Sequence, residues 1–434
     1  MNWKNFVRFK AVSILVALAL MIPVSYVAAR GMDFDQGSGF GNKKWVGTWS
    51  ASPESISTFP SPLKSFNNQT LRQIVHTSIG GEYVRVRLSN AFGTKPLEVG
   101  AARIALRDSE KAIKDGSDRP LTFSGVSSIT IPVGALILSD PVKLKVPALG
   151  DLVVSVYFPN DTGLATVHAV NRQTNYFSSS VGDFTASVSG EEFDKTFTNW
   201  FFLSGVEVIP YKHSRTIVAL GDSITDGYCN PALDQVNCIP DKNSRWPDEL
   251  ARRLQAKRYD MAVLNAGISG NRLLHEGEIT SIYGQNTLAR FDRDVLAQTG
   301  VSHIIVLIGI NDIGQAGVLN KEFVSAQEII AGLQQIIKLA HVRGIKVAGC
   351  TLTPFKGYNP GKYFTEEGEA KRQAVNQWIR TSGKFDAVID FDAVIRDPSD
   401  PLRILPIYDS GDHLHPNDVG YKAMGGAINL RIFR

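Results

Sequence analysis

The rhythm of apolar and polar positions changes near residue 212. Between Trp45 and about Pro210 apolar residues alternate with polar ones over short runs: YVRVRLSN (83–90), parts of LTFSGVSSITIP (121–132), VKLKVP (142–147) and DLVVSVYFP (151–159). Successive side chains of a strand point to opposite faces, so this rhythm predicts half-buried strands, and the Gly, Pro, Asn and Asp clusters between them predict turns. No helical periodicity intervenes, which predicts an antiparallel, all-β, sandwich-like domain over 44–210. From 214 to 434 apolar, β-branched runs take over: TIVAL (216–220), MAVLNAG (261–267), HIIVLIG (303–309), IKVAGC (345–350) and AVIDF (387–391). Helical segments separate them: SRWPDELARRLQAK with Ser244 as candidate N-cap, KEFVSAQEIIAGLQQIIKLAHVRG with an apolar face of Phe323, Ile330, Leu333 and Ile337 and a terminal Gly344, and TEEGEAKRQAVNQWIRTSG. Apolar strands alternating with helices predict an α/β domain whose parallel sheet is covered on both faces.

The first residues fall outside both patterns. Lys4, Arg8 and Lys10 precede the apolar run AVSILVALALMIPVSYV, and Val27 and Ala29 suit the small positions before a cleavage point, so residues 1–29 read as a secretory signal peptide. A membrane anchor is the rival reading, which Pro23 and the small residues after it disfavour. Residues 30–43, rich in glycine and polar side chains, read as a flexible leader. Cleavage would remove three of the 46 basic residues and none of the 42 acidic ones, so the formal charge falls from +4 to +1. That balance gives no electrostatic case for nucleic acid or an anionic membrane surface as partner, and no stable membrane insertion is expected after cleavage. An exported chain meets an oxidising compartment, which makes Cys229 and Cys238, at the ends of CNPALDQVNC, a candidate disulfide, with Cys350 read as a buried thiol.

Ligands of open α/β sheets bind outside the carboxyl ends of the strands, and three polar clusters fall there. Ser223, in VALGDSITDGY, ends the first apolar run; SGNR (269–272) follows the second and GIND (309–312) the third. A serine at such a place caps a turn or serves as a nucleophile, and a nucleophilic hydroxyl needs a base, usually histidine held by a carboxylate. The segment YDSGDHLHPNDVGY supplies Asp412 and His415, three residues apart, with Asp409 and His413 as near rivals. The developing oxyanion needs donors, for which the backbone N–H groups of Ser223 and Gly270 and the side-chain amide of Asn311 are candidates. Asp222, Asp226 and Asp312 adjoin these residues and read as backbone acceptors. Arg272 reads as a surface residue, the remaining histidines, His168 among them, as structural or surface residues, and Trp45, Trp49, Tyr176 and Trp200 as core rather than a sugar-stacking surface.

GDSITDG, ISGNR, GIND and DHLHP, in this order, resemble the four blocks of the SGNH (GDSL) hydrolase superfamily of esterases, lipases and carbohydrate deacylases, with Ile224 where the family name has leucine. The resemblance covers 214–434. It implies a flavodoxin-like three-layer fold, Ser223 as nucleophile and oxyanion donor, Gly270 and Asn311 as the other donors, His415 as base and Asp412 as its orienter. The expectation is an exported, periplasmic or extracellular serine esterase that works through an acyl-enzyme, with no metal and no cofactor. An acylated polysaccharide is one substrate this architecture would suit. The rivals are an acyltransferase using the same residues, a lipase or phospholipase for longer acyl chains, and a noncatalytic carbohydrate-binding protein. The assignment requires Ser223 and His415 to lie within hydrogen-bond reach on one edge of the sheet, and a structure that separates them would defeat it.

Overall fold

The computed structural model describes residues 44–58, 61 and 63–434, so the expected signal peptide and leader lie outside the described residues. The antiparallel part is built on Val46–Ser50 (β1), Gln69–His76 (β2), Gly81–Ser89 (β3), Ala101–Leu106 (β4), Val142–Val146 (β5), Asp151–Phe158 (β6) and Leu203–Ile209 (β7). One sheet runs β1-β7-β3-β5; the other is centred on β2-β6-β4 and is extended by short strands at both edges. Alternate residues of both sheets, such as Val84 and Val86 of β3 and Val154 and Val156 of β6, enter one shared core, which is where the period-2 pattern directs them. Trp49, Tyr176 and Trp200 are buried within this half.

The alternation over 121–132 does not become one strand. Only Ile129–Ile131 pairs there, with Leu97–Val99, because Ser124 and Gly125 take positive φ (54° and 83°) and turn the chain between Phe123 and Val126.

Arg215–Gly221 (β8), Met261–Gly267 (β9), Val301–Leu307 (β10), Lys346–Cys350 (β11) and Ala387–Ile389 (β12) form a parallel sheet in the order β9-β8-β10-β11-β12. The helical segments include the single turn Ser223–Asp226 (α1), Trp246–Ala256 (α2), Thr287–Phe291 (α3), Ile310–Leu319 (α4), Ala326–Val342 (α5), Glu366–Thr381 (α6) and Asp418–Ala427 (α7). The chain steps from β8 to β9 in one direction and from β10 through β12 in the other, so right-handed crossovers place α2 on one face and α5 and α6 on the opposite one. The α5 helix starts at a capping box, Ser325 with Glu328, and buries Ile329, Leu333, Ile336 and Ile337, each worth ~1.5–3 kcal/mol. Phe323 therefore stands ahead of the helix and is exposed. The α2 helix starts one residue later than its sequence suggests, because the Ser244 hydroxyl donates to Asp418 Oδ1 (2.7 Å) and Arg245 takes the capping position. Among the described residues no helix is long and apolar enough to cross a membrane.

The edge of the parallel sheet is covered. The antiparallel half lays β1 against β9, where the Ser50 hydroxyl donates to Asn265 O (2.9 Å) and Val263 N–H donates to Ser78 Oγ (3.0 Å). Groups that an exposed edge strand would leave open are thus satisfied by side chains. Lys43–Arg434 is accordingly one compact unit.

Strand ends beneath the α1 turn admit only glycine. A Cβ on Gly221 would lie 2.2 Å from Thr225 Oγ1 and 2.5 Å from Leu307 O, and one on Gly267 would lie 2.3 Å from Asp226 N. Gly221→Ala is expected to destabilise the fold by about 1–3 kcal/mol, read as a lowered midpoint in urea unfolding with unchanged m-value.

Candidate active site

The α1 turn is held at both ends. Asp222 Oδ1 accepts from Ile224 N–H (3.0 Å), and Gly227, at φ 90°, turns the chain out through a bond from its N–H to Ser223 O. This fixes Ser223 at the carboxyl end of β8, 5% exposed. Its hydroxyl donates to His415 Nε2 (2.8 Å), and His415 Nδ1–H donates to Asp412 Oδ2 (2.6 Å). Because Asp412 accepts at Nδ1, Nε2 is left as the proton acceptor facing Ser223. Asp412 Oδ1 also accepts the N–H groups of Leu414 (3.0 Å) and His415 (2.8 Å). Burial pushes the Asp412 carboxyl up, but the charge and hydrogen bonds of His415 outweigh it and hold the group at about 2.

The rival pair is occupied with itself. His413 Nδ1–H donates to Asp409 Oδ2 (2.6 Å), and His413 takes φ 69°, a conformation that sends it away from its neighbour His415.

Gly270 and Asn311 lie on the same edge. Gly270 has φ 77°, and its Cα packs under the Tyr283 ring, where a Cβ would come within 2.3 Å. Asn311, on the first turn of α4, is oriented from both sides. Its Oδ1 accepts from Tyr363 OH (2.8 Å) and Gln315 Nε2 (3.2 Å), and its Nδ2 donates to Asn271 O (3.1 Å). Among the described residues no second acceptor meets Nδ2. Gln315 also donates to Gly270 O (2.7 Å), so it ties the two candidate donors together.

Sequence reasoning missed Gln315 and Tyr363. Gln315 was within reach, since it stands one helical turn after Asn311, whereas Tyr363 comes from a distant loop and carries no local signal. It also missed three tyrosines around Ser223. The rings of Tyr228 and Tyr358 lie 4.6 and 6.0 Å from that of His415, and Tyr283 covers Gly270.

Of the neighbouring acids, Asp222 and Asp312 accept from backbone, as expected, whereas Asp226 accepts from side chains as well. Asp312 accepts from Leu273 N–H (2.7 Å) and Leu274 N–H (2.9 Å); burial nonetheless pushes its carboxyl up to about 6. Asp226 accepts from Ser269 N–H (3.1 Å). Arg272, expected at the surface, is buried, and Nη1 donates to Glu322 (2.5 Å). Cys229 and Cys238 are joined as a disulfide with Cα atoms 5.5 Å apart, and Cys350 is buried and free.

Residues 219–423 match the family model described as GDSL-like Lipase/Acylhydrolase family. Comparison with curated proteins returns no match. Among solved structures the chain is similar to an aryl esterase from M. smegmatis (17% identity, covering 49% of this chain and 96% of that one, TM-score 0.39). It is also similar to a carbohydrate acetylesterase from Sinorhizobium meliloti (16%, 49% and 96%, 0.39). A GDSL-like lipase from Bacteroides thetaiotaomicron is a third (19%, 50% and 88%, 0.36).

Asp222 offers a test of the electrostatics. Burial outweighs its hydrogen bond from Ile224 and raises its carboxyl from 3.8 to about 7. A group whose folded pKa is raised stabilises below its unfolded pKa and loses that contribution as pH rises through the folded value. Asp222→Asn keeps the capping oxygen without the titration, so its stability relative to the wild type is expected to climb from about pH 4 to about pH 7 and level off above, measured by thermal unfolding across that range.

Proposed function

We propose that the protein, whose residues 219–423 match the GDSL-like lipase/acylhydrolase family model, is a carboxylic ester hydrolase, namely an exported serine esterase working through an acyl-enzyme intermediate. The observation that carries the reading is the continuous relay Ser223–His415–Asp412, at 2.8 and 2.6 Å, beside two oriented donors. Ser223 attacks the ester carbonyl while His415 takes its proton, and the negative charge on the former carbonyl oxygen falls to the N–H groups of Ser223 and Gly270 and the amide of Asn311. His415 then protonates the leaving alcohol. Water, activated by the same imidazole, releases the acid and restores the serine. Asp412 holds the ring in the tautomer that this cycle needs and balances the imidazolium.

Export is supported by the signal-like residues 1–29 and by the Cys229–Cys238 disulfide. We read the antiparallel half as a β-sandwich accessory part over 44–210. For the substrate we favour short acyl esters, with acetylated polysaccharide as the natural case. The support is the aromatic wall of Tyr228, Tyr283 and Tyr358, whose rings offer faces for a sugar and hydroxyls for its oxygens.

One observation favours a second reading, longer acyl chains. The disulfide-closed loop carries exposed Leu233 and Val236, with Ile239 just beyond, and Leu233 packs within 3.3 Å of the Cβ position of Gly411, next to Asp412.

Hydrolysis of aryl esters from acetyl to long acyl chains separates these readings. A maximum at acetyl to butyryl is expected, with Ser223→Ala losing activity by on the order of 10⁴-fold or more. A long-chain maximum would favour the second reading. Product formation only with an added sugar acceptor would point to acyl transfer, and no Ser223-dependent turnover at all would defeat the proposal.

A further inference from the structure

The parallel half does not build the candidate site alone. Asp226, three residues after Ser223, is buried, and its carboxylate is shared between two neighbours. Oδ2 accepts the N–H (3.1 Å) and the hydroxyl (2.7 Å) of Ser269, the residue before Gly270. Oδ1 accepts from Nε2 of His168 (3.0 Å), which lies on the short strand Thr166–His168 of the antiparallel half.

His168 is itself fixed from behind. Its Nδ1 faces the carbonyl oxygen of Ser52 at 2.9 Å and Glu54 Oε1 at 3.4 Å, and its ring packs against Trp200. A carbonyl oxygen can only accept, so Nδ1 carries a proton, and Nε2 carries one for Asp226. The side chain is therefore an imidazolium. Burial favours the neutral ring, but Asp226 and Glu54 outweigh it and hold the group up at about 9. Glu54 is pushed up to about 8 by burial, and the carboxylate within hydrogen-bond distance of Nε2 is that of Asp226.

Arg290 makes a second tie between the halves. It is fully buried, and its guanidinium donates to Gly221 O (3.0 Å), Ala266 O (2.9 Å) and Asn271 Oδ1 (3.0 Å), all at the carboxyl edge of β8 and β9, and to Ser52 Oγ (3.3 Å).

We propose that the antiparallel half is a working part of the catalytic centre: His168 is a positioning residue that, through Asp226, sets the Ser269–Gly270 turn against Ser223. The inference rests on the reading of Ser223 and Gly270 given above. An oxyanion donor acts on the tetrahedral species and little on bound ester, so displacing this turn lowers kcat and the affinity for tetrahedral mimics while leaving KM in place. A network that only fastened the two halves together would change stability instead.

The experiment uses the full chain and phenylboronic acid, which adds to a catalytic serine to form a tetrahedral adduct. In His168→Gln, kcat is expected to fall at least tenfold, the boronic-acid affinity to fall by a similar factor, and KM to stay within about twofold, in protein that thermal unfolding shows to be folded. Ser269→Ala, which keeps the backbone bond to Asp226 and removes the hydroxyl, is expected to lose several-fold in kcat at unchanged KM, and the double variant to be little worse than His168→Gln because both act through one carboxylate. A folded His168→Gln with kcat and boronic-acid affinity within twofold of the wild type overturns the proposal, as do independent, multiplicative losses in the double variant. Should His168→Gln not fold, Ser269→Ala decides: a kcat equal to the wild type's overturns it. Absence of Ser223-dependent hydrolysis in the wild type would instead defeat the esterase reading, and boronic-acid affinities would still compare the variants with the wild type.

Discussion

The carboxylate of Asp226 is buried, and the geometry of the site follows from how its oxygens are satisfied. An isolated buried carboxylate costs several kcal/mol, so it persists only where donors converge on it. Here the donors to the carboxylate come from two places in the chain, Ser269 after β9 and His168 from the antiparallel half, while Arg245 Nε, ahead of α2, donates to the backbone carbonyl oxygen of Asp226 (2.7 Å). Each segment is drawn to the one turn that carries Ser223. Strand-end glycines allow the approach, since neither Gly221 nor Gly267 leaves room for a Cβ beneath that turn.

The consequence is a rigid edge on which polar groups are preorganised. Asn311 is pinned by Tyr363, Gln315 and the Asn271 carbonyl, and His415 by Asp412, so each of these candidate site groups is held in one orientation by its neighbours. Preorganisation of this kind is the largest common source of catalytic stabilisation, because no dipole has to turn as charge develops.

Much of this was legible along the chain, and the reason is local. Continuous apolar runs marked all five parallel strands to within a few residues, because the central strands are buried on both faces and few polar positions interrupt the pattern, although Val388 of the edge strand β12 is exposed. Ser223, Gly270 and Asn311 stand at the ends of those runs, and Asp412 and His415 in the segment ahead of α7, where short motifs carry their own geometry. What escaped was non-local. His168 meets Asp226 58 residues away, Tyr363 meets Asn311 52 residues away, and nothing near either residue announces its partner. Arg272 escaped for a different reason: composition puts arginine at the surface, and only a folded partner, Glu322, makes its burial affordable. In the antiparallel half, alternation located strands but overreached at 121–132, where a Ser-Gly turn outweighs the period-2 pattern.

The pairing of β1 with β7 bears on how the chain is made. Val46 lies opposite Val208 in that sheet, so the first strand of the described residues has no partner in this sheet until more than 150 residues have followed it from the ribosome. Its other face packs on β9, which comes later still. This strand is therefore among the last to be completed, and during synthesis Val46–Ser50 stays unpaired, with Val46 and Trp49 uncovered, long after it has emerged.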